Sequence, residues 1–141
     1  MKKVIAFLIC GVAIAFVAIS VNAGAQVALG KVYPGMTESE LIKVYGEPVN
    51  RYGDDWQYQD FMAEVEHGIV EKVSTRSGAL ATPDGIHVGQ SVAELESVCG
   101  RADKVDYDDG AVEYKYYSGF KKVEFKVANN VIVQITCKID D

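Results

Sequence analysis

Gly35-Met36-Thr37-Glu38-Ser39-Glu40-Leu41-Ile42-Lys43-Val44-Tyr45-Gly46 returns 54 positions later as Gly89-Gln90-Ser91-Val92-Ala93-Glu94-Leu95-Glu96-Ser97-Val98-Cys99-Gly100. Each copy reads as a short helix with both ends marked. Thr37 and Ser91 are N-caps. Glu40 and Glu94 stand three residues on and complete a capping box at each start. Leu41, Val44 and Tyr45, and then Leu95, Val98 and Cys99, give an i, i+3, i+4 apolar stripe. Gly46 and Gly100 can take the positive φ that ends a helix.

Outward from these helices the period changes to two. Trp56 and Tyr58, then Phe61, Ala63 and Val65, alternate with polar or exposed positions, as half-buried strands do. His67-Gly68 is a two-residue turn, and residues 69–75 return as the next strand. After the second helix, Lys104 to Tyr107 starts a strand and Asp108-Asp109-Gly110 turns it. Val112, Tyr114 and Tyr116 alternate with Glu113, Lys115 and Tyr117. Val123, Phe125 and Val127 follow, then Asn129-Asn130 as a hairpin turn. Val131, Val133, Ile135, Cys137 and Ile139 share the last apolar face. Residues 78–85 are the one linker-like segment.

These patterns predict an α+β fold of two pseudo-symmetric units. Each would pack a short helix, or helix pair, on its own antiparallel sheet of three to four strands. The expected division is a leader at 1–25, a first unit at 26–77, the linker at 78–85 and a second unit at 86–141.

The leader is read from Lys2 and Lys3, the apolar run to Val21, and the small residues around Ala23 and Ala25. It predicts export to the periplasm or the medium. The alternative is an uncleaved anchor spanning the membrane once. Cys10 follows Ile9 inside the apolar run, which does not fit a lipobox. The chain has a formal charge of −6, or −8 without Lys2 and Lys3. An acidic chain with no basic cluster argues against nucleic acid and against an electrostatic grip on anionic lipid. Membrane contact is expected only with the leader uncleaved.

Gly35-Met36-Thr37, Gly46-Glu47-Pro48, Trp56, Tyr58 and Gly68-Ile69-Val70 resemble the pattern of the SmpA/OmlA outer-membrane assembly lipoproteins. Two such units in tandem resemble the β-lactamase inhibitor protein fold. The resemblance implies helices on one face of antiparallel sheet and action by binding proteins. The second copy departs from it, with Gln90 at the Met36 position and Ala102 at the Pro48 position.

Cys99 and Cys137 remain after leader removal, on apolar faces aimed at one core. A structural disulfide is the expected state in an oxidising compartment, worth roughly 3–4 kcal/mol in the chain-entropy account. A redox pair and two buried thiols are the alternatives. The absence of a Cys-x-x-Cys pattern argues against redox catalysis. His67 and His87 have no partner at metal-ligand spacing and read as surface residues. Asp54-Asp55 and Asp108-Asp109 read as turns, since no calcium-loop pattern surrounds them. No nucleophile elbow or phosphate-cradling loop is present.

The expected function is therefore that of an exported, non-enzymatic protein-binding module, such as an inhibitor of a secreted or periplasmic enzyme. An envelope-assembly or scaffold role is the alternative, and an enzyme of unrecognised type is a third. No cofactor or metal is expected. The candidate binding residues are Tyr117 and Phe120 as anchors, with Glu113, Lys115, Lys122 and Glu124 as the polar rim.

Overall fold

Turn chemistry sets the strand pairing. The computed structural model describes residues 24–140, so all but the last two residues of the leader at 1–25 lie outside the described residues. His67-Gly68, Asp109-Gly110 and Asn129-Asn130 each put two successive residues at positive φ. That backbone matches the twist of flanking strands and closes a tight antiparallel hairpin. The turns join β3 (Met62–Glu66) to β4 (Ile69–Thr75), β5 (Lys104–Asp108) to β6 (Ala111–Ser118), and β7 (Lys121–Ala128) to β8 (Val131–Ile139). Two short strands, β1 (Asn50–Tyr52) and β2 (Asp55–Gln57), come before them in the chain. All eight strands form one antiparallel sheet in the order β1-β2-β3-β4-β8-β7-β6-β5.

The expectation of two helix-on-sheet units, each with its own sheet, is corrected here. β4 pairs with β8 from Lys72↔Lys138 to Thr75↔Ile135, and this seam makes the sheet continuous. Separate sheets would leave both strands as open edges, with their N–H and C=O groups unpaired. Joining them also covers Val73 and Cys137, which face each other in the seam and are fully buried. Side-chain alternation reports which residues face the core. It does not report which strand edges meet.

Local geometry nevertheless recurs between the halves. Thr37 bridges to Ile69, and Ser91 bridges to Val131. The Gly35 N–H donates to the Val70 carbonyl at 2.7 Å, and the Gly89 N–H to that of Ile132 at 2.9 Å. Register shifts fall at Glu64/Val65 and again at Lys126/Val127.

The two helices, α1 (Glu38–Tyr45) and α2 (Val92–Cys99), lie over one face of the sheet. Both capping boxes form, with Thr37 and Ser91 accepting from the N–H groups of Glu40 and Glu94. Gly46 and Gly100 end the helices with the same backbone, φ 78° and ψ −166°. Each Gly carbonyl then accepts a tyrosine hydroxyl, from Tyr58 just after β2 at 2.9 Å and from Tyr116 on β6 at 2.8 Å. The buried stripes are narrower than the sequence predicts. Leu41, Leu95 and Cys99 are fully buried, while Val44 and Val98 are exposed. A two-turn helix on a twisted sheet seals little more than one row of side chains.

The chain before α1 closes the core from the side. Leu29, Val32 and Met36 are buried there, and Ile86 fills the corresponding place before α2. These join Trp56, Tyr58, Phe61, Tyr116, Phe125 and the inward aliphatic residues in one apolar cluster.

Candidate functional site

Among the described residues the other face of the sheet carries no helix, and its charged side chains pair with one another. Lys122, Lys138 and Lys72 stand directly opposite each other on β7, β8 and β4. Like charges in register repel, so carboxylates are interleaved. Glu124 lies 3.5 Å from Lys122, 3.6 Å from Lys115 and 3.8 Å from Lys138. Asp140 approaches Lys122 at 3.0 Å, and Glu64 approaches Lys72 at 3.4 Å. Lys115 reaches Asp106 at 2.8 Å and Glu113 at 3.6 Å.

The lattice perturbs its members. A hydrogen bond from Lys115 holds the Asp106 carboxyl below the usual carboxylate range. The same contact, then Glu124, raises the Lys115 ammonium despite its partial burial. For Lys122 burial pulls downward, but the Asp140 hydrogen bond and Glu124 outweigh it and the pKa rises. All four predicted rim residues therefore lie in this lattice. Glu113, Lys115, Lys122 and Glu124 come together, but as partners of one another. The Lys115, Lys122 and Glu124 side chains keep only 13–14 % of their surface exposed.

The predicted anchors sit at the end of this face, on the β6–β7 turn. Tyr117 is on β6 opposite Lys122, whose ammonium lies 5.6 Å from its ring. Phe120 is 67 % exposed. Its backbone is fixed all the same, because its carbonyl accepts the Asp140 N–H at 2.7 Å. The Lys121 ammonium sits 6.0 Å from the Phe120 ring and 5.6 Å from that of Tyr33. Gly35 permits this approach, since a Cβ there would stand 3.3 Å from the Lys121 Nζ. Tyr33 is the member that strand periodicity missed. It lies before α1, far from the turn in sequence, and only the fold brings it there.

Cys99 and Cys137 are both fully buried and unbonded, which corrects the expected disulfide. Cys99 ends α2 and lies beside Tyr116, whose ionised form is disfavoured first by burial and then by Cys99. Cys137 lies two strands from Tyr116 in the same cross-strand row, with Val123 between them. One apolar core thus holds both thiols without pairing them. Burial pushes the Cys99 thiol up to about 11 and raises Cys137 further.

His67 is exposed on its turn, 4.0 Å from Glu66. His87 is half-buried rather than a free surface residue, with Nδ1 2.9 Å from the Val88 carbonyl. No group of three or more His, Cys, Asp or Glu side chains that could hold a metal ion occurs among the described residues. Two open depressions mark the surface. One, of about 410 Å³, lies over the lysine row and is lined by Glu64, Glu66, Lys72, Lys122 and Asp140. The other, of about 610 Å³, runs along residues 57–62 and 74–77. In the second, Ser77 Oγ donates to Asp60 Oδ1 at 3.2 Å, and Thr75 Oγ1 donates to the Asp60 carbonyl at 2.6 Å. Among the described residues, no helix is long and apolar enough to cross a membrane.

No family model matches the chain, and no curated protein matches it. Three solved structures share its fold. A DUF4309 family protein (YjgB) from Bacillus subtilis is 14 % identical, with a TM-score of 0.55, over 74 % of this chain and 78 % of that one. An extracellular protein containing a SCP domain from Bacillus anthracis is 11 % identical, with a TM-score of 0.60, over 77 % and 44 %. A cysteine-rich secretory protein from Staphylococcus aureus is 10 % identical, with a TM-score of 0.58, over 84 % and 48 %. The chain spans about half the length of the last two. At these identities the likeness extends to the fold alone. It overturns the resemblance to the SmpA/OmlA proteins and to the β-lactamase inhibitor protein, which rested on the short signals at Gly35-Met36-Thr37, Gly46-Glu47-Pro48, Trp56, Tyr58 and Gly68-Ile69-Val70. Those signals specify a helix cap, turns and half-buried strand positions, which are local features and do not fix strand order.

Proposed function

We propose that the chain is an exported, non-enzymatic protein-binding module whose anchors lie at the β6–β7 turn. The observation that carries this reading is an aromatic that is exposed and yet held. Phe120 presents two-thirds of its surface while its carbonyl is bonded and Lys121 bridges it to Tyr33. A residue whose backbone is already fixed loses less entropy on binding, which favours an energetic anchor. Export is supported by the leader pattern at 1–25. Two structures that share the fold are also described as extracellular or secretory proteins. A non-enzymatic role is supported by where the large pKa shifts fall. They belong to core thiols, core Tyr116 and the ion lattice rather than to a cleft with convergent groups. Inhibition of a secreted enzyme, and an SmpA/OmlA-type assembly role, are implied only by the corrected resemblance and fall with it.

A photo-crosslinking residue placed at position 120 tests the reading during expression in the native host. Position 49 is the control, equally exposed at 69 % but distant on the β1 side. A discrete adduct from position 120 and none from 49 is expected. Phe120→Ala and Tyr117→Ala should each cost roughly 1–2 kcal/mol of affinity for the crosslinked protein. Full affinity in the double variant removes the turn from the site.

A further inference from the structure

The two outer strands of the sheet are finished differently. β1 is three residues long, follows Pro48, and has the Arg51 guanidinium lying 3.8 Å over the Trp56 ring. Shortness and charge of this kind blunt an edge. β5 has five residues, no proline and no register shift. It also carries Tyr107, 82 % exposed, and Val105, 39 % exposed. Just before it, the Asp103 carboxylate accepts the Tyr117 N–H at 2.8 Å and so ends the open edge.

Hairpin geometry states which β5 groups have no strand partner among the described residues. The two-residue turn at Asp109-Gly110 makes Asp108↔Ala111 its closing, mutually hydrogen-bonded pair. Alternation then assigns Asp106 and Lys104 to bonds with β6. The N–H and C=O groups of Val105 and Tyr107 point away from the sheet.

We propose that β5 pairs antiparallel with β5 of a second copy about a two-fold axis at Asp106. In this register Val105 of each copy faces Tyr107 of the other, and the four outward donors and acceptors of each strand are all satisfied. Lys104 of each copy faces Asp108 of the other, so opposite charges meet on both sides of the axis. The row Val112–Tyr107 of one copy continues into Val105–Tyr114 of the other. Apolar side chains thus meet apolar ones on the helix side. The two Asp106 carboxylates on the axis oppose the pairing. Each already has Lys115 at 2.8 Å and Lys104 at 3.7 Å. Moving the axis to Tyr107 would set Asp106 against Asp108, and moving it to Val105 would carry the outer bonds beyond the strand. The interface is small, so the association is weak and reversible, in the micromolar range. A symmetric contact of this kind is self-complementary and closes at two copies. It leaves the β6–β7 turn of each copy uncovered.

The test is sedimentation equilibrium of the protein expressed at full length and purified after export, from micromolar to submillimolar concentration. A reversible monomer–dimer equilibrium is expected, and a monomer throughout overturns the proposal. Tyr107→Pro removes one outward donor and no bond to β6. It should abolish the dimer with an unchanged circular dichroism spectrum. A dimer of wild-type affinity in this variant means that β5 is not the interface. Lys104→Asp should raise the dissociation constant about tenfold, because two attractive pairs become repulsive. Adding Asp108→Lys to Lys104→Asp should restore it. Failure to restore refutes the register.

Discussion

Tyr116→Phe removes one hydroxyl and almost no volume. The ring is 1 % exposed and packs edge-on against Phe125 at 5.7 Å, so phenylalanine fits the same space. What is lost is the 2.8 Å bond to the Gly100 carbonyl, where α2 ends. A typical net hydrogen bond contributes about 0.5–1.5 kcal/mol, and the upper half of that range applies where water cannot replace the donor. Tyr58→Phe is the matched experiment at the end of α1. Its bond to Gly46 is 2.9 Å and its ring is 8 % exposed, so solvent reaches it more easily. We expect about 1–1.5 kcal/mol for Tyr116→Phe and about 0.5–1 kcal/mol for Tyr58→Phe. With an unfolding entropy of about 2.1 cal/mol/K per residue, 1 kcal/mol lowers the Tm of a domain this size by about 4 °C. Urea unfolding followed by circular dichroism reads both variants, and the m-value should not change. An unmoved midpoint for Tyr116→Phe, or a larger loss for Tyr58→Phe, would show that the hydroxyls do not secure the helix ends.

The N-caps give a second pair. Thr37→Ala and Ser91→Ala should each cost roughly 0.5–2 kcal/mol, and unmoved denaturant midpoints would contradict the observed capping boxes. Both thiols should stay unlabelled by a thiol reagent at pH 8 in native protein and react once unfolded. A chain that yields no free thiol even when unfolded would restore the disulfide. Glu124→Gln leaves Lys115, Lys122 and Lys138 facing less negative charge, and should cost about 1 kcal/mol, allowing for solvent screening. A loss that does not shrink at high salt would argue against an electrostatic origin. The pH profile should be a plateau with two shoulders. Asp106, Glu40 and Glu94 have lowered pKa values. Their stabilisation is present above the unfolded carboxylate pKa values of about 4 and is lost as pH falls through the folded ones. Lys115 has a raised pKa, so its contribution is full below about 10.4 and is lost as pH rises through the folded value. The buried thiols have the same sign and begin their loss near pH 8.5. Stability rising from pH 9 to 11 would contradict both assignments.

What was legible in the sequence was whatever a few neighbouring residues decide. Thr37 with Glu40, and Ser91 with Glu94, specify helix starts without help from the rest of the chain. His67-Gly68 and Asn129-Asn130 specify hairpins for the same reason. The β4–β8 seam was hidden, because no pattern in residues 69–75 names residues 135–138 as their neighbours. That missing seam turned one sheet into two expected units. The site shows the same division. Alternation placed Tyr117, Lys122 and Glu124 on the uncovered face, and the structure agrees. Alternation could not show that Glu124 serves three lysines on β6, β7 and β8, since that depends on strand order. Nor could it bring Tyr33 to Phe120. An ion lattice already paired with itself has little to offer a partner, because each new contact must displace an existing one. The turn is different. Tyr117 adds apolar surface beside Lys122, which Glu124 and Asp140 already neutralise, and Phe120 adds more at the turn, so burying this end of the face removes apolar surface from water without breaking an ion pair.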